Sequence, residues 1–274
     1  MTDRLDEVRD HYQAAGLTER LKSALAALGP ADQRLTPEQL GGLDQFHTRG
    51  LAATAELAEL AGIAAGMSAL DIGAGVGGPA RFLAATYGCE VKGVDLSESF
   101  VEAARYLTQR TGQTGHVTFE TASALALPFG DGAFDIALLQ HVAMNIFDRA
   151  RLYREIRRAL KSGGRFATFD VVSIGDEPHY PLPWARTPAT SFLLTAAATR
   201  EAIEAAGFRT LEWRNDTEAA KAWFAHLRAS GPPPSLNLGV VMGPDFAALA
   251  ANLGRSLMEG RLGILTAVFE AAPV

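Results

Sequence analysis

The run Leu70-Asp71-Ile72-Gly73-Ala74-Gly75-Val76-Gly77-Gly78 constrains this chain more than any other stretch. A short apolar strand ends in a glycine cluster, and helix-forming residues follow. Glycines at a strand-to-helix turn let the backbone come close to a ligand, and the helix N-terminus behind them offers unpaired N–H groups. Gly73, Gly75 and Gly78 fit the dinucleotide spacing G-x-G-x-x-G. Three readings therefore stand on the motif alone: a nicotinamide dinucleotide, another nucleoside ligand, or a tight turn with no ligand.

The sequence around the motif alternates. Strands are expected at 68–72, 90–95, 116–121, 135–139, 165–172, 209–214 and 262–271, with helices at 78–87, 98–111, 149–160 and 195–206. Buried-type strands alternating with helices predict an α/β fold, a doubly wound Rossmann-like sheet. The glycine turn then lies at the carboxyl end of the first strand, where such sheets bind ligands. Asp95 ends the second strand and would bind ribose hydroxyls in either nucleoside reading.

Ahead of the sheet, apolar residues recur at helical spacing over 3–30: Leu5, Val8, Tyr12, Leu17, Leu21, Leu25. Thr36-Pro37-Glu38-Gln39 joins a cap residue, a proline at the first helical position and a glutamine three after the cap, which predicts a second helix. A third is expected at 51–60, with Ala53, Leu57 and Leu60 as its core stripe. Residues 1–65 are thus expected as an N-terminal helical cap, and 66–274 as the core. Two stretches interrupt the alternation and are expected as lids, 175–194 and 217–260. The first is rich in proline and aromatics; the second is helical at both ends around Gly231-Pro232-Pro233-Pro234.

Composition narrows the function. The 274 residues are 48% hydrophobic and 20% charged, with a net charge of -6. An acidic chain is a poor partner for nucleic acid. No uncharged apolar run reaches the roughly 18 residues of a membrane span, and the charged N-terminus does not read as a secretory signal. A cytoplasmic protein without a membrane partner is expected. Cys89 is the sole cysteine, so no internal disulfide can form, and a buried structural thiol is expected. His11, His116 and His226 read as solvated or satisfied residues, and no spacing predicts a metal site. The charged run at 148–158 reads as a solvated helix face.

Three features discriminate among the ligands. Asp71 puts a carboxylate just before the glycine loop, which repels a pyrophosphate and suits an ammonium or sulfonium group. The second is Leu127-Pro128-Phe129-Gly130-Asp131-Gly132-Ala133-Phe134-Asp135-Ile136-Ala137-Leu138-Leu139-Gln140. The third is Ala159-Leu160-Lys161-Ser162-Gly163-Gly164-Arg165-Phe166, before a strand. In this order they resemble the class I S-adenosylmethionine-dependent methyltransferases, over about residues 65–215. The flanks, with Gln45-Phe46-His47 and the loop after Val172, look like the small-molecule branch that includes sarcosine/dimethylglycine, tocopherol and sterol methyltransferase-like enzymes.

The resemblance implies a seven-stranded sheet with its last strand antiparallel, and S-adenosylmethionine, leaving as S-adenosylhomocysteine, across the carboxyl ends of the first strands. Asp71, Gly73 and Gly75 would line its methionine and ribose part, and Asp95 would chelate the ribose hydroxyls beside Leu96. Ser123 and Ala124 would flank the adenine; many relatives carry an acid at the position of Ser123. Gln140 would sit by the methionine moiety. The acceptor would be a small molecule with a nitrogen, oxygen or carbon nucleophile.

His141 stands at the same carboxyl edge and is either a base for the acceptor's proton or a helix-entry residue that positions the loop. Asn145, Tyr180 and Trp184 are candidate acceptor contacts. His47 is either an acceptor or cofactor-carboxylate contact, or a surface loop residue. The helical cap would cover this chain's own site or a neighbour's in a homodimer. Two rival functions remain: an NAD(P)-dependent oxidoreductase and a non-catalytic S-adenosylmethionine-binding protein. Asp71 and the absence of a Tyr-x-x-x-Lys pair oppose the first; Gln140, His141 and Asn145 oppose the second.

Overall fold

The computed structural model describes residues 7–8, 11–12, 15–30, 32–231 and 234–272. Leu5, Pro232 and Pro233 lie outside the described residues. The apolar spacing of the N-terminal stretch does not make one continuous helix. Gly16 adopts a left-handed backbone (φ 67°), and α1 (Leu17–Leu25) starts after it, followed by one 3-10 turn. Only glycine takes that conformation without a steric cost, so the break is written into the residue.

Helix α2 (Pro37–Asp44) carries the full capping box: the Thr36 side chain accepts from the Gln39 N–H, and the Gln39 side chain accepts from the Thr36 N–H. Helix α3 (Leu51–Ala61) follows. Strand β1 (Ser68–Ile72) leads through the glycine turn into α4 (Gly78–Tyr87). Then come β2 (Glu90–Asp95), α5 (Glu98–Thr111), β3 (Val117–Thr121) and β4 (Phe134–Gln140). Side-chain caps from Ser97 and Asp148 start α5 and α6 (Arg149–Ala159); such caps satisfy N–H groups that the helix leaves orphaned.

Strand β5 (Leu160–Ser173) is longer than the sequence pattern suggests. Leu160 pairs with Phe134, and the next pairing is Arg165 with Ile136. Ser162-Gly163-Gly164 is therefore a bulge inside the strand, where the sequence reads as a turn before it. The chain continues through α7 (Ala196–Ala205), β6 (Phe208–Asn215), α8 (Thr217–Ala229), α9 (Gly239–Met242), α10 (Phe246–Met258) and β7 (Leu262–Ala271).

One seven-stranded sheet results, in the order β3-β2-β1-β4-β5-β7-β6. Strands β1 to β5 pair in parallel, and β7 runs antiparallel to both β5 and β6. Successive side chains on a strand point to opposite faces, which divides the core. Ala69, Leu138 and Phe169 pack with Leu57, Leu83 and Leu257 on one face. Leu70, Ile72 and Leu139 pack with Leu152 and Ile156 on the other. A third cluster joins Leu21, Leu25, Leu40 and Leu43 of the N-terminal helices to Val76, Phe100 and Leu107. That cluster ties the cap to the glycine turn.

The basic run is only in part the solvated face its composition suggests: Arg151 and Arg154 are exposed, Arg149 and Arg158 are not. Arg149 is buried, donating to the carbonyls of Ile146 and Phe192 and to the Tyr153 hydroxyl. Arg158 donates to the carbonyls of Leu127 and Phe129 while pairing with Glu155 and Asp131. Both guanidiniums brace loops that carbonyl groups alone would leave unsatisfied. Cys89 is buried, and burial raises its thiol to about 11, so it is an inert core residue.

Candidate active site

The carboxyl ends of β1, β2 and β4 open into a cavity of about 1030 Å³, bordered on the other side by the N-terminal segment and by α8 to α10. Gly73 forms its floor. A Cβ there would lie 2.3 Å from the Val142 side chain, and φ is 71°, so only glycine fits. Behind the turn, Asp44 and Arg81 form a buried ion pair at 2.7 Å that locks α2 to α4.

Asp95 lines the cavity at the end of β2. One carboxylate oxygen accepts the Gly75 N–H at 2.9 Å and the other the Ser97 N–H at 2.9 Å. Burial nevertheless raises its pKa. Leu96, Ser123 and Ala124 lie on the same wall. The Ser123 hydroxyl accepts the Leu125 N–H at 3.2 Å and so caps its own turn. Asp71 is placed differently: it is 2% exposed, behind the turn and outside the cavity lining. Burial first, then the charge of Asp95, pushes it up to about 7, and its Oδ2 has no partner.

At the end of β4 the chain makes a strained turn. His141 has φ 54°, a left-handed backbone rare for a residue with a side chain. Such strain costs of order 1–3 kcal/mol and gathers at functional sites. The turn is held by two bonds: the His141 N–H donates to the Phe169 carbonyl at 2.8 Å, and the Ala143 N–H to Asp170 Oδ2 at 3.1 Å. The His141 ring lines the cavity, and its Nε2 is buried without a hydrogen-bond partner. Burial, and then the nearby His47, lower its pKa well below the usual value. At neutral pH it is an uncharged imidazole.

His47 is no surface residue; it is 5% exposed. Its Nδ1 lies 3.2 Å from the Thr48 carbonyl and its Nε2 3.1 Å from Gln45 Oε1. The Gln140 amide nitrogen at 3.3 Å and the Thr54 hydroxyl at 3.0 Å face that Nε2. Burial lowers the ring's pKa to about 4. Gln140 in turn keeps a buried Oε1 with no partner. The loop carrying His47 is anchored by Arg49, itself in a left-handed backbone and paired with Glu56 and Asp216.

Asn145 and Trp184 also line the cavity. Asn145 Oδ1 accepts from the Tyr12 hydroxyl at 3.3 Å, and Trp184 donates to Ser191 Oγ at 2.9 Å. Tyr180 is outside the lining and packs against the core. Sequence reasoning missed Tyr12, Thr54, Phe100, Phe224 and Phe246. Their spacing matches ordinary helix positions, and only the tertiary fold shows which face looks into the cavity.

Comparison with known proteins is consistent with this geometry. Residues 70–168 match the family model described as "Methyltransferase domain". The methyltransferase GfsG of Streptomyces halstedii is 36% identical over 133 residues, 48% of each chain. The O-methyltransferase cnsE of Penicillium expansum is 32% identical over 193 residues, 69% of this chain and 68% of the other. This chain spans about half the length or less of several curated relatives it matches. The geranyl diphosphate C-methyltransferase of Streptomyces coelicolor A3(2) shares the fold with a TM-score of 0.71 over 98% of both chains, at 18% identity. Identity of 32% sustained across two thirds of both sequences, on a sheet of this order with the glycine turn at its first strand, makes this chain a member of the S-adenosylmethionine-dependent methyltransferase family.

Proposed function

We propose that this chain transfers the methyl group of S-adenosylmethionine to a small-molecule acceptor by in-line displacement, with His141 as the base. The observation that carries the reading is the uncharged imidazole of His141, which lines the same cavity as the Gly73 floor and the Asp95 carboxylate. When bound, the cofactor supplies a methyl group already activated by its sulfonium.

The residues present fit that cofactor. The Gly73 floor admits no side chain, so backbone can lie against the ligand. Asp95 uses one N–H on each carboxylate oxygen, which leaves lone pairs for two ribose hydroxyls. The orphaned Gln140 Oε1 suits the donors of an ammonium group. Leu96, Ser123 and Ala124 would flank the adenine. Asp71 would act from behind the loop, through charge and not by contact.

The rest is alignment. Holding nucleophile and methyl in line can supply several kcal/mol of the barrier, and a positioned base adds roughly 10²–10⁴-fold where the nucleophile carries a proton. His47, Thr54 and Gln140 fix one another and so fix the floor beside His141. Asn145 and Trp184 would bound the acceptor. The N-terminal helices and α8 to α10 would keep water out.

The test uses S-adenosylmethionine labelled in its methyl group, incubated with the chain and organic extracts of its source cells. Label passing to an extractable small molecule, and failing to pass with Asp95→Ala, supports the reading. Cofactor binding with no labelled product from any extract contradicts it.

A further inference from the structure

We infer that the acceptor is a neutral, lipophilic hydroxyl compound, seated against α8 to α10. This rests on the reading that the Gly73–Asp95 end of the cavity takes S-adenosylmethionine.

Size comes first. Sites for one drug-sized ligand run to roughly 300–1,000 Å³. A volume of about 1030 Å³ stands at the top of that range, which leaves space beyond the Gly73–Asp95 end.

The chemistry of the wall comes next. The segment 217–258 turns Trp223, Phe224, Leu227, Met242 and Phe246 toward the cavity. Leu227 is left 44% exposed, and Trp223 and Phe224 are only half-buried. An apolar wall of this kind gains about 25 cal/mol for each Å² of apolar surface that a ligand covers. Gly254 keeps the wall in place: a Cβ there would press on the Phe224 ring at 3.1 Å.

Charge settles the head group. Among the described lining residues the formal charges are Asp95, Arg228 and Arg255. Asp95 is bonded to the glycine turn. Arg255 pairs with Glu259 on the surface of α10, and Arg228 is exposed near the end of α8. No carboxylate is left to pair with an acceptor ammonium, and an unpaired buried charge is costly. Both arginines are exposed, so among the described lining residues the deep part of the cavity offers a diphosphate no cationic side chain. The polar groups that remain are uncharged. The His141 imidazole lines the same cavity and makes no side-chain hydrogen bond that would engage its unprotonated nitrogen, and a hydroxyl is a donor that this nitrogen can accept.

The step balances. The hydroxyl oxygen uses a lone pair to form the new C–O bond to the methyl carbon. The C–S bond breaks, and its electron pair stays on sulfur. The hydroxyl proton passes to the unprotonated nitrogen of His141 and then to solvent, and a methyl ether and a thioether remain.

The test is fluorescence titration of the full chain, saturated with S-adenosylhomocysteine, with N-phenyl-1-naphthylamine as a neutral apolar probe. Micromolar binding is expected, weakened at least tenfold by Phe224→Asp and by the surface variant Leu227→Asp, with S-adenosylhomocysteine affinity within about twofold of the parent. Displacement should follow charge: 1-decanol at concentrations at least tenfold below those of decyltrimethylammonium or decyl phosphate. Absence of probe binding to the loaded chain, or equal displacement by either ion, overturns the acceptor class. Failure of S-adenosylhomocysteine itself to bind overturns the underlying reading instead.

Discussion

The ring of His141 lies flat on that of Phe169, with centroids 5.2 Å apart and planes 14° from parallel. The Phe169 carbonyl also accepts the His141 backbone N–H. One residue of β5 thus sets both the backbone and the ring plane of the proposed base. Phe169→Leu should keep the apolar contact and lose the stack. We expect kcat to fall about tenfold with S-adenosylhomocysteine affinity unchanged, read by steady-state kinetics beside calorimetry. An unchanged kcat would show that the stack does not orient the base.

His141→Ala should lower kcat by roughly 10²–10⁴-fold, the range for a positioned base, and leave cofactor affinity within about twofold. Because burial and His47 depress the His141 pKa well below 6.5, the parent should keep its base form down through pH 6.5. Activity should fall only at more acidic pH. An acid limb centred near 6.5 would assign the titration to another group.

Asp95→Ala removes the carboxylate that joins the Gly75 and Ser97 N–H groups. We expect a folded chain whose affinity for S-adenosylhomocysteine drops at least tenfold, equivalent to about 1.4 kcal/mol. Circular dichroism checks the fold and titration the affinity.

His47 carries a pH signature of stability. It is neutral in the fold with a pKa of about 4, whereas the unfolded chain takes up the proton near 6.5. Its contribution is intact above pH 6.5 and is lost as pH falls toward 4, by about 3 kcal/mol in all. Asp71 and Asp170, raised by burial to about 7 and about 6, act in the opposite direction over that window. The informative quantity is therefore the stability of the parent minus that of His47→Gln, from urea melts at several pH values. That difference should fall by about 3 kcal/mol between pH 7 and 4; a constant difference would contradict the buried neutral ring.

Arg149→Met keeps the aliphatic bulk of a buried side chain and leaves two carbonyls and a phenol without their donor. A loss of about 2–4 kcal/mol in urea unfolding is expected. A loss below about 0.5 kcal/mol would return Arg149 to the solvated face.

The sheet was legible because its signals are local. Glycines mark the ends of α4 and α5, Thr36 and Gln39 complete their capping box, and β1, β2 and β7 begin and end where the apolar pattern does. The bulge in β5 was not legible, since Ser162-Gly163-Gly164 is equally good turn chemistry and only pairing with β4 decides. The site divides in the same way. Gly73, Asp95 and Gln140 follow from their places at strand ends. The burial of His47, the position of Asp71 behind the loop and the distance of Tyr180 from the cavity depend on contacts between segments far apart in sequence. So does the aromatic wall of α8 and α10, whose residues have the spacing of any amphipathic helix.

The central claim is that the glycine turn serves a sulfur nucleoside. Calorimetric titration of the purified chain with S-adenosylmethionine, S-adenosylhomocysteine and NADH in parallel tests it most directly. The account predicts micromolar binding of both sulfur compounds and none of NADH; binding of NADH alone would contradict it.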